Sequence, residues 1–234
     1  MTIPDPLPNS DLPAETETIW QFMPLPALLS LLQKKQLFFR RLTELDDPLE
    51  GKFFTPIFDS LNRSFQESGL NRGADPWTAE RFEASGREHW YVNCWHLNPV
   101  PSARMWKQYA SDNGVAIRST VGSLLHAFRV KHRITMNRVH YQSEATSLNA
   151  VFPPFHKQPD FDHEKEYRAL VMLTNSDASA VKHDGFYVAV DLDALVEGVH
   201  LSPDMQPWVA EVISFEVRER LGKVCVPSRH SQEC

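Results

Sequence analysis

The sequence predicts an α+β fold: a single domain in which a mixed sheet is flanked by helices. Three observations carry that expectation. The chain opens, after an N-terminal leader, as strand, helix and strand; helical and strand periodicities then interleave without a strict βα repeat; and no internal period marks a solenoid. A length of 234 residues suits one large domain, and 42% hydrophobic with 23% charged residues supplies a full core. The division predicted is a Pro-rich, loosely ordered leader over 1–17, one domain over 18–228 and a tail over 229–234.

Thr18 to Met23 (TIWQFM) reads as the first strand. Pro24 to Gln36 follows as an amphipathic helix, with Pro24 and Pro26 in its first turn and Leu28, Leu29, Leu31 and Leu32 facing inward. Leu37 to Leu42 reads as a second strand, ended by the turn-forming Asp46-Asp47-Pro48. From Glu50 to Glu88 the pattern is helical but broken at Gly69, Gly73 and Pro76, which predicts two or three short helices. A strand at Tyr91 to His96, a Pro99/Pro101 turn, a helix from Ser102 to Ser111 capped by Ser102, and a strand at Val115 to Ser119 after Gly114 come next. A short helix is expected at Val121 to Ala127, a strand at His132 to Tyr141 and a Pro- and His-rich loop at Pro153 to Asp162. The last third predicts strands at Ala169 to Leu173, Gly185 to Val190, Val199 to Ser202 and Val224 to Val226, with helices at Asp191 to Glu197 and Pro207 to Gly222.

Composition excludes several classes of function. A net charge of −6 argues against broad electrostatic capture of nucleic acid, which needs a basic face to displace counterions. The three cysteines, Cys94, Cys225 and Cys234, are odd in number and widely spaced, so no disulfide framework is expected and a reducing cytoplasm is the natural location. No apolar run approaches the roughly 20 residues of a membrane span, and the leader lacks the basic start and apolar core of a secretory signal. Walker A, Gly-x-Gly-x-x-Gly, His-Glu-x-x-His and Cys-x-x-Cys motifs are all missing. His126, His132, His140, His156 and His163 share no ligand spacing on one element, so no metal site is expected.

The densest concentration of functional side chains runs from Tyr91 to Thr120. Trp95, His96, Arg104, Trp106 and Tyr109 crowd one strand-to-helix junction, where aromatic rings can stack on a base or nicotinamide. Cys94, Met105 and Trp106 suit core packing, which leaves Trp95, His96, Arg104 and Tyr109 as the exposed candidates. Glu164 and Glu166, alternate residues entering a strand, are expected on one face, where each shifts the other's pKa. Such a pair can polarise a sugar hydroxyl, act as base or stabilise a cation; with Lys165 and Arg168 it can equally form a solvated, salt-bridged strand entry. Arg40 and Arg41 precede Asp46, Asp47 and Glu50, so arginines and carboxylates meet at one strand end. This is either a capped turn or a clamp for a phosphate or diphosphate, with Arg104 serving the same anion.

Five ordered blocks together resemble the bacterial family named domain of unknown function 2971. They are LFFRRLTELDDPLEG, CWHLNPVPSARMWKQYA, GVAIRS, HEKEYR and HLSPDMQPWVAEVI, and they cover most of the chain after the leader. The strand-helix-strand start and the late Glu-x-Glu before a strand are also similar to features of the ADP-ribosyltransferase superfamily. That resemblance implies a split sheet holding NAD, with Glu166 or Glu164 on the nicotinamide ribose and Trp95 or Tyr109 stacked on nicotinamide. Where many such enzymes carry a His or Arg on the first strand, this chain has Gln21, with Arg40 or Arg41 to supply the cation.

The function expected is therefore a cytoplasmic protein with a nucleotide- or NAD-type ligand cleft. Glu164 and Glu166 are its catalytic carboxylates, and Arg40, Arg41, Asp47, Glu50, Trp95, His96, Arg104, Tyr109 and Arg168 are its ligand-binding residues. ADP-ribosyl transfer or N-glycosidic cleavage of NAD is the reaction this points to. The alternative is a non-catalytic interaction module of a phage-defence or toxin-related system, and a magnesium nuclease built on Asp46, Asp47, Glu164 and Glu166 is a minor third.

Overall fold

A computed structural model describes residues 12–72, 76–130, 133–143, 152–174, 177–178, 181 and 184–228. Strand β1 (Thr18–Met23) leads into helix α1 (Leu25–Lys34), whose first turn holds Pro26 and whose end is closed by Lys35 in the left-handed region at φ 53°. Strand β2 (Gln36–Arg41) follows, then helices α2 (Thr55–Glu67) and α3 (Ala79–His89), and strand β3 (Trp90–Leu97). A short helix α4 (Ala103–Met105), capped by the Ser102 hydroxyl, runs straight into a π-helical turn at Trp106–Ala110. Strand β4 (Val115–Thr120) and helix α5 (Val121–Ala127) come next, followed by strands β5 (Ile134–Arg138), β6 (His140–Tyr141) and β7 (His156–Lys157). The chain then supplies β8 (Glu166–Met172), β9 (Gly185–Ala189), α6 (Leu192–Leu195), β10 (Gly198–Leu201), α7 (Pro207–Leu221) and β11 (Cys225–Pro227).

Nine of these strands form one mixed sheet, as the α+β expectation requires. Its main path is β11-β10-β4-β1-β3-β2-β9, antiparallel except for the parallel β10–β11 pair. The sheet forks at β3. One edge of β3 pairs with β8 along its length, from Trp90↔Met172 to His96↔Glu166, and β8 carries β5 beyond it. The other edge is divided: β2 takes Tyr91 and Val92, while β1 takes His96 and Leu97. Side chains stitch the gap, since Asn93 donates to the Phe38 carbonyl at 3.0 Å and Gln21 donates to the Cys94 carbonyl at 3.4 Å. Gln21 thus satisfies backbone that the fork leaves without a strand partner.

Each face of the sheet buries a different layer. Odd-numbered residues of β1, β2 and β3, including Ile19, Phe39, Tyr91 and Trp95, join the main core with α1, α5, α6 and α7. The opposite face carries two smaller clusters, one of Trp20, Phe22, Met105, Trp106, Ala110 and Ala116, the other built on Leu42, Trp90, Val92, Phe155 and Leu170. Of the four leucines expected inward on α1, Leu28, Leu31 and Leu32 are, but Leu29 is 41% exposed because a ten-residue helix on one sheet face buries only a narrow stripe.

Most strand ends fall within two residues of expectation, but β8 begins at Glu166, three residues before the expected Ala169, and the single strand expected at His132 to Tyr141 is divided into β5 and β6. Glu17, placed in a loose leader, accepts Arg138 at 2.9 Å, and Glu15 and Glu17 accept the first amides of α5 through their carbonyls, so this end of the leader is tied down. The expected loop at Pro153 to Asp162 contains two 3-10 turns, Pro153–Phe155 and Pro159–Glu164. The rest of the leader (1–11), the tail (229–234, with Cys234) and His132 lie outside the described residues. No helix among the described residues is long and apolar enough to cross a membrane.

Gly114 precedes β4 and packs on the end of the π turn, where a Cβ would fall inside the contact distance of the Ala110 carbonyl oxygen. Gly114→Ala is expected to destabilise by about 1–3 kcal/mol, read as a lowered midpoint in urea denaturation with an unchanged slope.

Candidate functional site

Strand parity decides which residues meet. Trp20 and Phe22 of β1, Arg40 of β2, Cys94 and His96 of β3, and Glu166 and Arg168 of β8 share one face, because Trp20 pairs with His96, Arg40 with Val92, Cys94 with Arg168 and His96 with Glu166. Together with Asp46, Asp47, Glu50, Gln108, Tyr109, Lys157 and Glu164 they enclose a cavity of about 190 Å³.

The floor of this cavity is an ion cluster. Lys157 Nζ lies 2.5 Å from Glu164, 2.9 Å from Glu166 and 3.5 Å from Glu50; Arg168 reaches Glu50 at 2.5 Å and Glu166 at 2.7 Å. All five side chains are buried, and Arg168 also donates to the Pro154 carbonyl. Three carboxylates against two cations leave the cluster one negative charge in excess when all are ionised. Burial alone would raise the Glu166 pKa, but Arg168 and then Lys157 outweigh it and hold the carboxyl well below the ordinary range. Glu50 goes the other way: burial, helped by Glu166, raises it against the pull of Arg168 and Lys157. Burial would lower the Lys157 pKa, yet Glu166 and Glu50 raise it overall. Two neighbouring carboxylates pushed apart in this way separate the roles of fixed anion and proton carrier.

The expected carboxylate pair therefore exists, though not by strand alternation. Glu164 closes the 3-10 turn, Lys165 turns through the left-handed region at φ 40°, and Glu166 opens β8. That kink aims both carboxylates at Lys157. The remaining oxygen of Glu164 accepts Tyr109 at 2.5 Å and Gln108 at 3.0 Å. Both donors sit on the π turn, where the Ser111 amide bonds back to Trp106, five residues earlier. Trp106 and Ala110 stay packed on the sheet while Gln108 and Tyr109 swing over Glu164. Burial and the Glu164 bond raise the Tyr109 pKa, so it stays a donor.

His96 completes the wall. Its Nδ1 lies 2.6 Å from the Glu164 carbonyl oxygen, which can only accept, so Nδ1 carries the proton. Burial lowers the His96 pKa, and the ring is neutral. Nε2 then presents a lone pair that is buried and has no hydrogen-bond partner. Asp47 Oδ2, on the same cavity, is likewise unpartnered, while Asp47 Oδ1 accepts the Leu49 amide at 2.8 Å. The unmet atoms are acceptors, so the cavity calls for a ligand rich in donors or positive charge.

The structure brings together Arg40, Asp47, Glu50, His96, Tyr109, Glu164, Glu166 and Arg168. It separates two others, Arg41 and Arg104, and buries a third, Trp95, which borders the cavity but packs in the main core. Arg41 pairs with Tyr91 and turns to the opposite face, where its guanidinium lies 5.5 Å over the Tyr91 ring. Trp95 was expected to be exposed but is 1% exposed within the main core, its indole N–H donating to Asn93. Arg104 is exposed and lines no part of the cavity. Arg168 binds carboxylates rather than facing a ligand, and His96, expected exposed, is buried. Core roles for Met105 and Trp106 are borne out, and Cys94 sits on the cavity wall with its thiol pKa pushed well up by burial, which makes it no nucleophile. Sequence reasoning missed Lys157 and Gln108: Lys157 lies in FHKQPDF, where nothing in the spacing marks a cation that three glutamates will surround. No group of described residues is arranged to hold a metal ion.

No protein-family model matches the chain, and no curated protein matches it either.

Removing one member of a buried ion cluster strands its partners. Lys157→Met is expected to cost about 3–5 kcal/mol in chemical denaturation. Because the folded Glu166 pKa is lowered, its stabilisation is complete above its unfolded value of about 4.3 and is lost as pH falls towards the lowered one. Wild-type stability should accordingly decline in acid below about pH 4.3, with the raised Glu50 offsetting part of that decline.

Proposed function

We propose that the cavity binds the sugar-and-ring end of a nucleotide-type ligand, with NAD as the candidate, and acts at its N-glycosidic bond by hydrolysis or ADP-ribosyl transfer. The observation that carries this reading is a donor-seeking, net-negative floor set under aromatic walls from Trp20, Phe22, Tyr109 and Phe161. At about 190 Å³ the cavity is smaller than the roughly 300–1,000 Å³ of a drug-sized ligand site. It suits a ring or a sugar, and the rest of a dinucleotide would lie outside it.

The roles follow from the electrostatics. Glu166, fixed as an anion, faces the positive charge that develops on the sugar as the C1′–N bond breaks and its electron pair leaves with the ring nitrogen. A sugar hydroxyl can replace Tyr109 on Glu164, since Tyr109 is 40% exposed on the π turn. Water or another acceptor forms the new bond at C1′, and Glu50, with its raised pKa, is the carboxyl suited to take up the released proton. His96 Nε2 accepts from the ligand. The late Glu-x-Glu, through its likeness to ADP-ribosyltransferases, supports the same reading, and the free thiols Cys94 and Cys225 support a cytoplasmic location. A non-catalytic binding module is the second reading, favoured by the complete engagement of both Glu166 oxygens by Lys157 and Arg168.

Thermal shift with NAD, ADP-ribose and nicotinamide riboside is expected to raise the melting temperature through mass action. Glu164→Gln should lower nicotinamide release by about 100-fold or more. His96→Asn retains an N–H for the Glu164 carbonyl but is too short to place an acceptor where Nε2 stands, so it should weaken binding about tenfold with little change in melting temperature. No shift with any nucleotide would favour the binding module. Turnover unaffected by Glu164→Gln would overturn the catalytic assignment.

A further inference from the structure

A second hollow of about 420 Å³ adjoins the cavity and shares Asp47 and Lys157 with it. Lys52, Phe54 and Thr55 bound one side, and His156 and Gln158 the other. Thr55 is the first residue of α2, a thirteen-residue helix that starts Thr-Pro with no side-chain cap and no acidic residue in its first turn. The first helical amides have no carbonyl four residues back, so Thr55 and Ile57 N–H lack intrahelical acceptors. Their dipoles add positive potential at that end.

An independent observation concerns His156. It is 6% exposed, its ring lies edge-on to Phe54 at 4.2 Å, and its Nε2 has no hydrogen-bond partner. Burial, followed by the neighbouring His140, lowers its pKa to about 4. A buried, unmet imidazole nitrogen beside an uncapped helix start is costly unless something polar sits between them.

We infer that this hollow is a phosphate subsite, in which a phosphate or diphosphate rests on the first turn of α2 between Lys52 and His156. The inference builds on the nucleotide reading above: the sugar would pass the shared wall at Asp47 and enter the cavity, while the phosphate stays in the hollow. Asp47 sets the orientation, because its carboxylate repels an anion at the shared wall and accepts a hydroxyl there. Lys157 divides the two compartments, with its ammonium turned to the glutamates.

Isothermal titration with inorganic pyrophosphate tests the subsite directly. Binding at millimolar concentration or tighter is expected, weakened about fivefold or more by His156→Leu and by Lys52→Gln. The second variant alters only an exposed side chain and guards against a folding defect in the first. Nicotinamide mononucleotide should bind about tenfold more tightly than nicotinamide riboside, and Lys52→Gln should erase that advantage. No pyrophosphate binding, or binding indifferent to both variants, overturns the subsite. Riboside binding without pyrophosphate binding would overturn the subsite alone, whereas pyrophosphate binding with no nucleoside binding would overturn the nucleotide reading and leave the subsite standing.

Discussion

Five charges are buried under one patch of sheet, and the cost of holding them there organises much of the molecule. An isolated ammonium or carboxylate in the interior costs several kcal/mol. Lys157, Arg168, Glu50, Glu164 and Glu166 can stay ionised there only as a set. They come from four places: Lys157 from β7, Glu166 and Arg168 from β8, Glu50 from the turn after β2, and Glu164 from the end of a 3-10 turn. The cluster thus pins segments more than one hundred residues apart in sequence to a single point. It also spreads the protonation tendencies of its carboxyls, which is what a site needs if one group is to stay charged and another is to exchange a proton.

Much of the fold could be read from the sequence because its cues are local. Apolar periodicity marked β1, α1 and α7, Ser102 marked its cap, and Gly222 marked the left-handed end of α7. The site was only partly readable, for a reason of parity. Arg40 and Arg41, or Trp95 and His96, are adjacent in sequence yet lie on opposite faces of a strand, and which face holds the cavity depends on pairing between distant strands. Aromatic density drew attention to Trp95 for the quality that placed it in the core. Lys157 carried no local mark at all, since its role comes from three partners supplied by other segments.

The π turn links these two levels. Its wider winding lets Trp106 and Ala110 stay packed while Gln108 and Tyr109 project over Glu164. A regular α-helix over the same residues would turn those side chains through a different arc. Irregular backbone at this position is therefore part of the site's construction.

The forked sheet has a mechanical consequence. β1 and β2 are both joined to β3, but at opposite ends of its edge, with the Asn93 and Gln21 side chains bridging the gap. Such a junction is softer to shear than a continuous ladder. Trp20 and Phe22 stand on one leaf and Arg40 on the other, so a small scissoring of the leaves about β3 changes the width of the cavity between them. In that case the sheet itself would be the flexure that sets the size of the aperture.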